Sequence, residues 1–342
     1  MGNERADAEL PPTLAMMQLL FGKQLTYSLS GVARLGVADH MDGEPRPVEE
    51  IAAKAGAHAP SLYRVMRMLA SFGVFRERPP RQFALTPIGE LLRTGAPNSM
   101  RNTAMMFGEE FSTRAYEHIA ACLRTGSDGV SKAYGKQIWD VLAERPSQCE
   151  TFQNAMTAST AIAAEAIVTG YDFSGIERLA DVGGGHGLLL ASILRAYPDL
   201  QGVLFDRPEV IASVPTQQFA GLEGRVALEA GSFFETVPEG CDAYVMKYII
   251  HDWSDAHCQT ILSLMRRRLP PHGRVLLCEM VVSGEPGPTP AKLLDIEMLV
   301  MTVGGKERTE EEFAGLFTAS GLRLARIVPT SRPICVIEAV PA

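Results

Sequence analysis

The second half of the chain, from residue 178 to the end, alternates short apolar runs with amphipathic ones. Short apolar runs bounded by turn residues are typical of buried strands, and apolar residues recurring every three or four positions are typical of helices. The predicted strands lie at 178–182, 202–205, 226–229, 243–247, 274–281, 322–328 and 334–339. The predicted helices between them lie at 188–196, 208–219, 255–269, 291–302 and 309–319. This alternation predicts an α/β fold with a mostly parallel seven-stranded sheet, in which the carboxyl end of every strand reaches one edge.

The first half has a different pattern. The stretch 14–35 predicts one long helix with more apolar surface than a solitary helix buries, so we expect it to pack against a partner subunit. Helices predicted at 48–56 and 60–72 precede two short extended segments, at 74–76 and 82–86, which flank a Pro-Pro turn. Helix, turn, helix and a two-stranded ribbon form the winged-helix pattern, which raises the question of DNA binding.

Three regions are therefore predicted along the chain. Residues 1–99 form a winged-helix-like domain, residues 100–170 form a mainly helical linker region, and residues 171–342 form the α/β domain. A length of 342 residues is compatible with about two domains.

Composition narrows the class of protein. The formal net charge is −8, which argues against a broad nucleic-acid or anionic-membrane surface, and Arg64 and Arg67 on the second winged helix are interpreted as a solvated face. The six cysteines show no CxxC spacing and are expected to be reduced thiols. The polar start of the chain lacks the features of a signal peptide, and no run of 18 apolar residues occurs. A cytoplasmic protein without membrane or nucleic-acid partners is expected.

A glycine-rich turn follows the strand 178–182, with Gly183, Gly185 and Gly187 spaced as GxGxG. Such a turn can be purely structural, but two acidic residues accompany it. Asp181 precedes it within the strand, and Asp206 ends the next strand, about 20 residues further on, where a carboxylate can accept hydrogen bonds from a ribose. The glycine spacing differs from the dinucleotide pattern GxGxxG. The combination favours a nucleoside ligand with a cationic or zwitterionic tail, such as S-adenosylmethionine (SAM).

A second candidate site follows the strand 243–247, where His251-Asp252-Trp253-Ser254 occupies a predicted strand–helix loop. One interpretation is that Asp252 or Ser254 caps the next helix and His251 is an ordinary loop residue. The other makes His251 a general base, because an unperturbed pKa near 6.5 suits proton removal near neutral pH. A phenol or enol hydroxyl would be the easiest acceptor of a methyl group, and this transfer requires no metal.

These segments resemble the SAM-dependent, metal-independent small-molecule O-methyltransferases, the caffeic acid O-methyltransferase-like class that includes bacterial enzymes of natural-product biosynthesis. The resemblance is carried by 181–187, 205–208, 231–234, Lys247, 251–255, Glu279 and 304–309. The winged-helix region is similar to the dimerisation domain of that family. The resemblance therefore implies a homodimer, with residues 1–99 serving dimerisation and residues 171–342 forming a Rossmann-like SAM-binding catalytic domain.

The resemblance also implies roles for individual residues. SAM, with S-adenosylhomocysteine (SAH) as its product, would be bound by Asp181, Gly183, Gly185, Asp206, Arg207, Ser232, Phe233 and Lys247. His251 would be the base, bracketed by Glu279 and Glu307. The acceptor site would use Met105, Met156, Asp252, Met298 and Thr302, and no residue would ligate a metal. The family usually has an acid at position 232, so the serine here predicts weaker cofactor binding.

The expected function is therefore methyl transfer to a hydroxyl of an aromatic or polyketide-like small molecule in secondary-metabolite biosynthesis. Two alternatives remain open. A relative of the same fold can perform N- or C-methylation, hydroxylation or decarboxylation, because the motifs do not specify the acceptor atom. A SAM-sensing winged-helix regulator would instead bind DNA in a salt-dependent manner.

Overall fold

The computed structural model describes residues 11–342, which separate into two compact units. One unit contains the described residues up to Glu110 together with Glu150–Ala158. The other contains Phe111–Cys149 and Ser159–Ala342.

The larger unit is built on a mixed, mostly parallel seven-stranded sheet, as predicted. Its strands are β4 (Arg178–Val182), β5 (Gln201–Asp206), β6 (Val226–Ala230), β7 (Ala243–Lys247), β8 (Arg274–Met280), β9 (Leu322–Pro329) and β10 (Ile334–Pro341). Their order across the sheet is β6-β5-β4-β7-β8-β10-β9, and the five strands from β6 to β8 are parallel neighbours.

One part of the topology prediction was wrong. Strand β10 runs antiparallel to both β8 and β9, so its carboxyl end lies at the edge opposite to the others. The connection from β9 to β10 spans only residues 330–333, which is too short for the crossover that a parallel pair needs.

Apolar side chains cover both faces of this sheet. Tyr244 and Met246 of β7 point into a cluster with helices α14 (Asp255–Arg268) and α16 (Glu310–Ala319), whereas Val245 belongs to the cluster on the opposite face with α12 (Leu188–Ala196). Consecutive residues of a strand alternate between faces. A strand buried on both faces is continuously apolar, which is why β4 and β7 were predictable from their composition.

The remaining helices of this unit include short and long ones. They are α8 (Ile119–Thr125), α9 (Gly129–Tyr134), α10 (Ile138–Ala143), α13 (Pro208–Ile211) and α15 (Pro290–Met301). Helix α7 (Glu110–Tyr116) begins at the last residue of the first segment of the smaller unit, and α11 (Pro146–Gly170) contributes residues to both units. The prediction of a helix over 208–219 was wrong beyond Ile211, because Pro215 cannot donate a helical hydrogen bond and disfavours helical geometry in the residue before it.

The smaller unit has the predicted winged-helix elements. They are β1 (Arg46–Pro47), α3 (Val48–Lys54), α4 (Ala59–Ser71), β2 (Phe75–Arg78), β3 (Gln82–Leu85), α5 (Pro87–Glu90) and α6 (Arg101–Met106). The three strands form an antiparallel sheet in the order β1-β3-β2. Ile51, Leu62, Met66 and Phe83 are fully or nearly fully buried in its core.

The predicted helix over 14–35 is divided in two. Helix α1 (Pro12–Leu20) ends before Phe21, and α2 (Gly22–Arg34) begins with a glycine, a residue that favours helix interruption. The large apolar side chains exposed between residues 14 and 21 are Leu14, Met16, Met17, Leu19, Leu20 and Phe21. Exposed apolar side chains this close together in the sequence are typical of a protein–protein interface.

Two further features of residues 11–342 concern membrane-spanning helices and cysteine pairing. No helix in this part of the chain is both long and apolar enough to cross a membrane. All six cysteines fall within it, and none forms a disulfide.

Candidate active site

The glycine-rich turn joins β4 to α12 at the carboxyl edge of the parallel strands. Gly183, Gly185 and Gly187 adopt φ of +73°, +59° and +77°, a backbone region that other residues rarely occupy. The Asp206 carboxylate at the end of β5 accepts hydrogen bonds from Gly185 N at 2.8 Å and from Arg207 N at 2.7 Å. Burial raises the pKa of Asp206, and these two backbone donors oppose that effect. The turn and the end of β5 are thus held together as one surface.

Asp181 lies beneath this turn and is incompletely satisfied. Its side chain is buried, and Oδ2 has no hydrogen-bond partner among residues 11–342. Burial raises the pKa of Asp181 to about 7, although nearby Lys247 opposes this. Buried polar atoms in native proteins are nearly always hydrogen-bonded, so an orphaned carboxylate oxygen indicates a site that a bound donor completes. The ammonium group of a SAM-like ligand has the required chemistry.

The other predicted cofactor residues are placed unequally around this surface. Phe233 lies beside the turn, because a Cβ added to Gly183 would come within 3.6 Å of its ring. The Ser232 hydroxyl accepts a hydrogen bond from Phe234 N at 3.3 Å. The exposed Arg207 side chain pairs with Glu209 at 3.1 Å, and its backbone N donates to Asp206. Burial lowers the pKa of Lys247, which is the last residue of β7.

The predicted base is in a buried cluster of acids. His251 is 8% exposed and lies on a short 3₁₀ turn, Ile250–Asp252, directly after β7. Its Nδ1 lies 2.6 Å from Glu307 Oε1 and 3.7 Å from Glu279 Oε2. Its Nε2 lies 3.6 Å from Asp252 Oδ1. The structure therefore brings His251, Glu279 and Glu307 together, although they are separated by 28 residues or more in the sequence.

The charges in this cluster determine the basicity of the imidazole. Burial alone lowers the pKa of His251, but the carboxylates of Glu279, Asp252 and Glu307 together raise it to about 9. Burial raises the pKa of Asp252 to about 6 and also raises that of Glu279, and in both cases the attraction of His251 opposes the shift. The arrangement stabilises an imidazolium and keeps Nε2 as the nitrogen without a close hydrogen bond.

Glu279 also binds the backbone of residues 248–254, the loop between β7 and α14 that carries His251 and is called the histidine loop below. Its Oε1 accepts hydrogen bonds from Ile249 N at 3.1 Å and Ile250 N at 3.0 Å. The carboxylate at the end of β8 thereby fixes the two residues that precede His251. Glu279 therefore contacts both the backbone of the loop and the imidazole of His251.

The segment that carries Glu307 is attached to the same loop by contacts that were not predicted from the sequence. Lys306 N donates to His251 O at 2.9 Å, and a Cβ on Gly305 would lie 2.4 Å from that oxygen, so only glycine fits there. Arg308 is 1% exposed and donates to Ile250 O and Trp253 O, each at 3.0 Å. It also pairs with Asp255 at 2.8 Å.

Arg308 and Tyr248 are the two neighbours of the base whose roles the sequence analysis missed. Arg308 falls inside the segment 304–309 that carries the family resemblance, but a local pattern gives no sign of partners more than 50 residues away. Tyr248 lies outside those segments, between Lys247 and 251–255. The Tyr248 ring stacks on the His251 imidazole, with centroids 5.2 Å apart.

The predicted acceptor residues are only partly brought together. Asp252 and Thr302 line a cavity of about 300 Å³, together with Gln137, Ile138, Trp139, Phe234, Trp253, His257, Met301 and Val303. Met298 is buried one turn before Thr302, whose hydroxyl donates to Met298 O at 2.8 Å. Met105 and Met156 belong to the smaller unit, and their part in acceptor binding stays a prediction.

The cluster also has the spacing of a possible metal site. The ligand atoms of His251, Glu279 and Glu307 lie within 4.8 Å of one another. However, 2.6 Å between Nδ1 and Glu307 Oε1 is the distance of a charge-assisted hydrogen bond. The same geometry is therefore accounted for by an imidazolium between two carboxylates.

Comparison with known proteins gives the family. The sequence matches the O-methyltransferase domain over residues 116–323 and the O-methyltransferase dimerisation domain over residues 17–95. It is 40% identical over 340 residues to a phenazine O-methyltransferase of Lysobacter antibioticus, covering 99% of each chain. It is 35% identical over 323 residues to the 8-amino-8-demethylriboflavin N,N-dimethyltransferase of Streptomyces davaonensis, covering 92% of this chain and 91% of the relative.

A solved structure supports both the fold and the cofactor. CalO1, a methyltransferase in calicheamicin biosynthesis, was crystallised in its SAH-bound form and matches with a TM-score of 0.87 and 34% identity, over 96% of this chain and 98% of that one. The orphaned Asp181, the left-handed glycines and the family match agree on SAM as the cofactor. The chain belongs to the SAM-dependent small-molecule O-methyltransferases that form homodimers through an N-terminal dimerisation domain.

Proposed function

We propose that this enzyme methylates a phenolic or enolic hydroxyl of an aromatic or polyketide-like metabolite, with His251 as the general base. The observation that carries the proposal is the buried imidazole between Glu307 and Glu279, at the same sheet edge as the glycine-rich turn. A partnered histidine of this kind is the arrangement that proton removal from a hydroxyl requires.

The proposed cofactor site uses the carboxyl edge of β4, β5, β6 and β7. Asp181 and the turn glycines would hold the amino-acid end of SAM, Asp206 the ribose, Ser232 and Phe233 the adenine, and Lys247 the side beside the base. When bound, SAM supplies an electrophilic methyl group on a sulfonium. Because the leaving group is already good, the protein has mainly to align the acceptor and accept its proton.

The proton would move to Nε2 of His251. Nδ1 faces Glu307 and Glu279, so its proton is held and Nε2 remains to accept. The two carboxylates would then stabilise the imidazolium as it forms. A His251 pKa of about 9 lies close to the roughly 10 of a phenol, which makes the transfer nearly balanced.

The acceptor would occupy the side of the base on which Asp252 and Thr302 line the cavity. Trp139, Trp253 and Phe234 give that cavity aromatic walls, which suit a planar ring system. The phenazine O-methyltransferase relative acts on an aromatic compound, as its name states, and supports the same class here. Met298, Met105 and Met156 would add adaptable apolar contacts.

The deciding experiment is incubation of the purified enzyme with methyl-labelled SAM and a panel of phenols, followed by mass spectrometry. We expect one or more hydroxylated aromatic compounds to gain the label. In parallel, His251→Ala should reduce turnover by about 10²–10⁴-fold, the usual contribution of a general base, while SAM affinity measured by calorimetry stays unchanged. Unchanged turnover in that variant would remove His251 from the reaction.

The main alternative is transfer to nitrogen, and one relative favours it specifically. The riboflavin-related N,N-dimethyltransferase is 35% identical to this chain over most of its length. Aromatic amines matched in ring structure to the phenols belong in the same panel. Label on an amine and on none of the phenols would replace the O-methylation proposal with N-methylation.

A further inference from the structure

Tyr248 has an unusual backbone conformation for a bulky residue. Its φ is +53°, in the left-handed region, and among residues 11–342 the other residues with positive φ that are not glycine are Arg81 and Asn98, both in the smaller unit. A tyrosine in this region costs free energy that surrounding structure must offset. Strain of this kind is concentrated at functional sites, so its presence at the residue directly after β7 requires an explanation.

The side chain of Tyr248 contacts the base directly. Its ring lies nearly parallel to the His251 imidazole, with an interplanar angle of 19° and centroids 5.2 Å apart. The ammonium of Lys247 lies 4.5 Å from the centroid of the same ring. The electron-rich face of an aromatic ring attracts cations, so both the ammonium and a protonated imidazole are stabilised by it.

The carboxylates around His251 do not restrict the tilt of its imidazole ring. Glu279 from β8 and Glu307 from the segment before α16 both approach Nδ1, and Asp252 from the loop itself approaches Nε2. A close hydrogen bond at one nitrogen leaves the ring free to tilt about that bond. An aromatic ring stacked on the imidazole face restricts this tilt. The left-handed turn at Tyr248 is what brings the ring over a residue only three positions further along the chain.

We propose that Tyr248 is a positioning residue, which holds the His251 imidazole against tilting and stabilises its protonated form. This inference rests on the proposed role of His251 as the base. The strained left-handed backbone of Tyr248 is then retained because it places the ring over the imidazole of His251. The aromatic ring of Tyr248, and not its hydroxyl, is the part that acts.

The test compares two variants of the full-length enzyme. Tyr248→Phe keeps the ring, and we expect its kcat and pH profile to match the wild type. Tyr248→Asn removes the ring but tolerates left-handed φ better than most residues. We expect it to fold with a lower Tm, because the Tyr248 ring also packs against the core beside β4 and β7, and to lose about 10- to 100-fold in kcat. The acidic limb of its kcat profile should move about half a pH unit lower, because a lost cation–π contact destabilises the imidazolium.

A direct measurement separates this role from a structural one. The pKa of His251, followed by NMR with labelled histidine and assigned with His251→Ala, should fall in Tyr248→Asn by the same half unit or so. A matched control is Tyr197→Asn, which removes a partly buried tyrosine that packs edge-on against Phe173. The control should lower Tm and leave both the kcat limb and the His251 pKa in place.

The outcomes are distinguishable from failure of the proposed function. If His251→Ala keeps full turnover, the base role fails and this inference fails with it. If His251→Ala is inactive while Tyr248→Asn retains wild-type kcat and an unchanged His251 pKa, only the inference is overturned. Loss of activity in Tyr248→Phe equal to that in Tyr248→Asn would also overturn it, because the hydroxyl would then be the active part.

Discussion

The imidazole of His251 carries unequal partners on its two nitrogens. Nδ1 has a carboxylate oxygen at 2.6 Å and a second at 3.7 Å, whereas the one carboxylate near Nε2 among residues 11–342 is Asp252, at 3.6 Å. The inequality sets the direction in which a proton can move. At neutral pH a base with a pKa of about 9 is mostly protonated, so the proposed mechanism implies that turnover rises with pH until His251 loses its proton.

Glu307→Gln tests this electrostatic account at a single residue. The raised pKa of His251 depends on nearby carboxylates, so removal of one negative charge should lower that pKa. The neutral base is then present at lower pH, and the acidic limb of kcat should move down by about one pH unit, while the maximal rate falls because the imidazolium is less stabilised. The pH dependence of kcat is the measurement.

The control for that variant is Glu177→Gln, an exposed residue that precedes β4 at the opposite edge of the sheet. This variant makes the same chemical change away from the cluster around His251. The acidic limb of its kcat profile should stay at the wild-type pH. A limb in Glu307→Gln that stays at the wild-type pH would contradict the assignment of Glu307 as the charge that holds the proton on His251.

Ser232 gives a prediction on cofactor affinity. Its hydroxyl already accepts a hydrogen bond from Phe234 N, which leaves a weak acceptor for an adenine amino group. Ser232→Asp supplies a charged acceptor, and hydrogen bonds to charged groups are about twice as strong as neutral ones. We expect the Kd for SAM to fall about fivefold in calorimetry, corresponding to roughly 1 kcal/mol. Ser232→Ala should not tighten binding, and equal affinity in all three proteins would contradict the proposed contact.

Among single residues, the sequence pointed to the candidate base more readily than to its surroundings. His251 stands out because a His-Asp-Trp cluster in a loop serves no apolar core. Tyr248 and Arg308 do not stand out, because a ring stack and a buried guanidinium are defined by three-dimensional contacts with no local pattern. Arg207 was predicted from a motif; its exposed side chain pairs with Glu209, and its part in cofactor binding stays a prediction.

At the scale of elements, the histidine loop is fastened to the segment 305–308 by a buried arginine. Arg308 satisfies two loop carbonyls and the Asp255 carboxylate at the start of α14. Arg308→Met removes a charged donor from each of those carbonyls and leaves them the weaker Cys258 Sγ and, for Ile250 O, Trp253 N. We expect the free energy of unfolding to fall by about 2–4 kcal/mol, since hydrogen bonds to charged groups contribute roughly 1.5–3 kcal/mol each. Denaturant titration is the measurement.

Arg267→Met is the control for that variant, because Arg267 is exposed on α14 and its loss should change stability by no more than about 0.5 kcal/mol. If Arg308→Met were as stable as the control, the guanidinium would not be what attaches the loop. Arg308→Lys should fall between them, because an ammonium cannot reach both carbonyls and the carboxylate in one plane.

The accuracy of the element predictions follows physical rules. Strands β4 and β7 were predicted at their observed bounds, because burial on both faces makes them continuously apolar. The prediction of a helix over 208–219 was wrong because it gave the apolar periodicity more weight than Pro215. The direction of β10 was also wrong, since the pattern of a strand carries no information on its orientation and only the short connection to β9 does.

At the scale of the whole molecule, the dimer depends on a surface that the chain alone leaves exposed. The protein is a homodimer by its dimerisation domain, which begins within α1. We propose that the apolar side chains of α1 lie in that interface. Leu19 and Leu20 are 76% and 69% exposed in the single chain. Exposure of neighbouring large apolar side chains to water is unfavourable, and burying them against a partner relieves it.

The double variant Leu19→Glu, Leu20→Glu tests this interface. Two buried, unpaired carboxylates cost several kcal/mol in an apolar contact, so we expect a shift from dimer to monomer in light scattering after size-exclusion chromatography. The matched control is Leu123→Glu, a leucine on α8 that is 74% exposed in the other unit and should leave the dimer intact. A double variant that remains dimeric at the same concentration would exclude α1 from the interface.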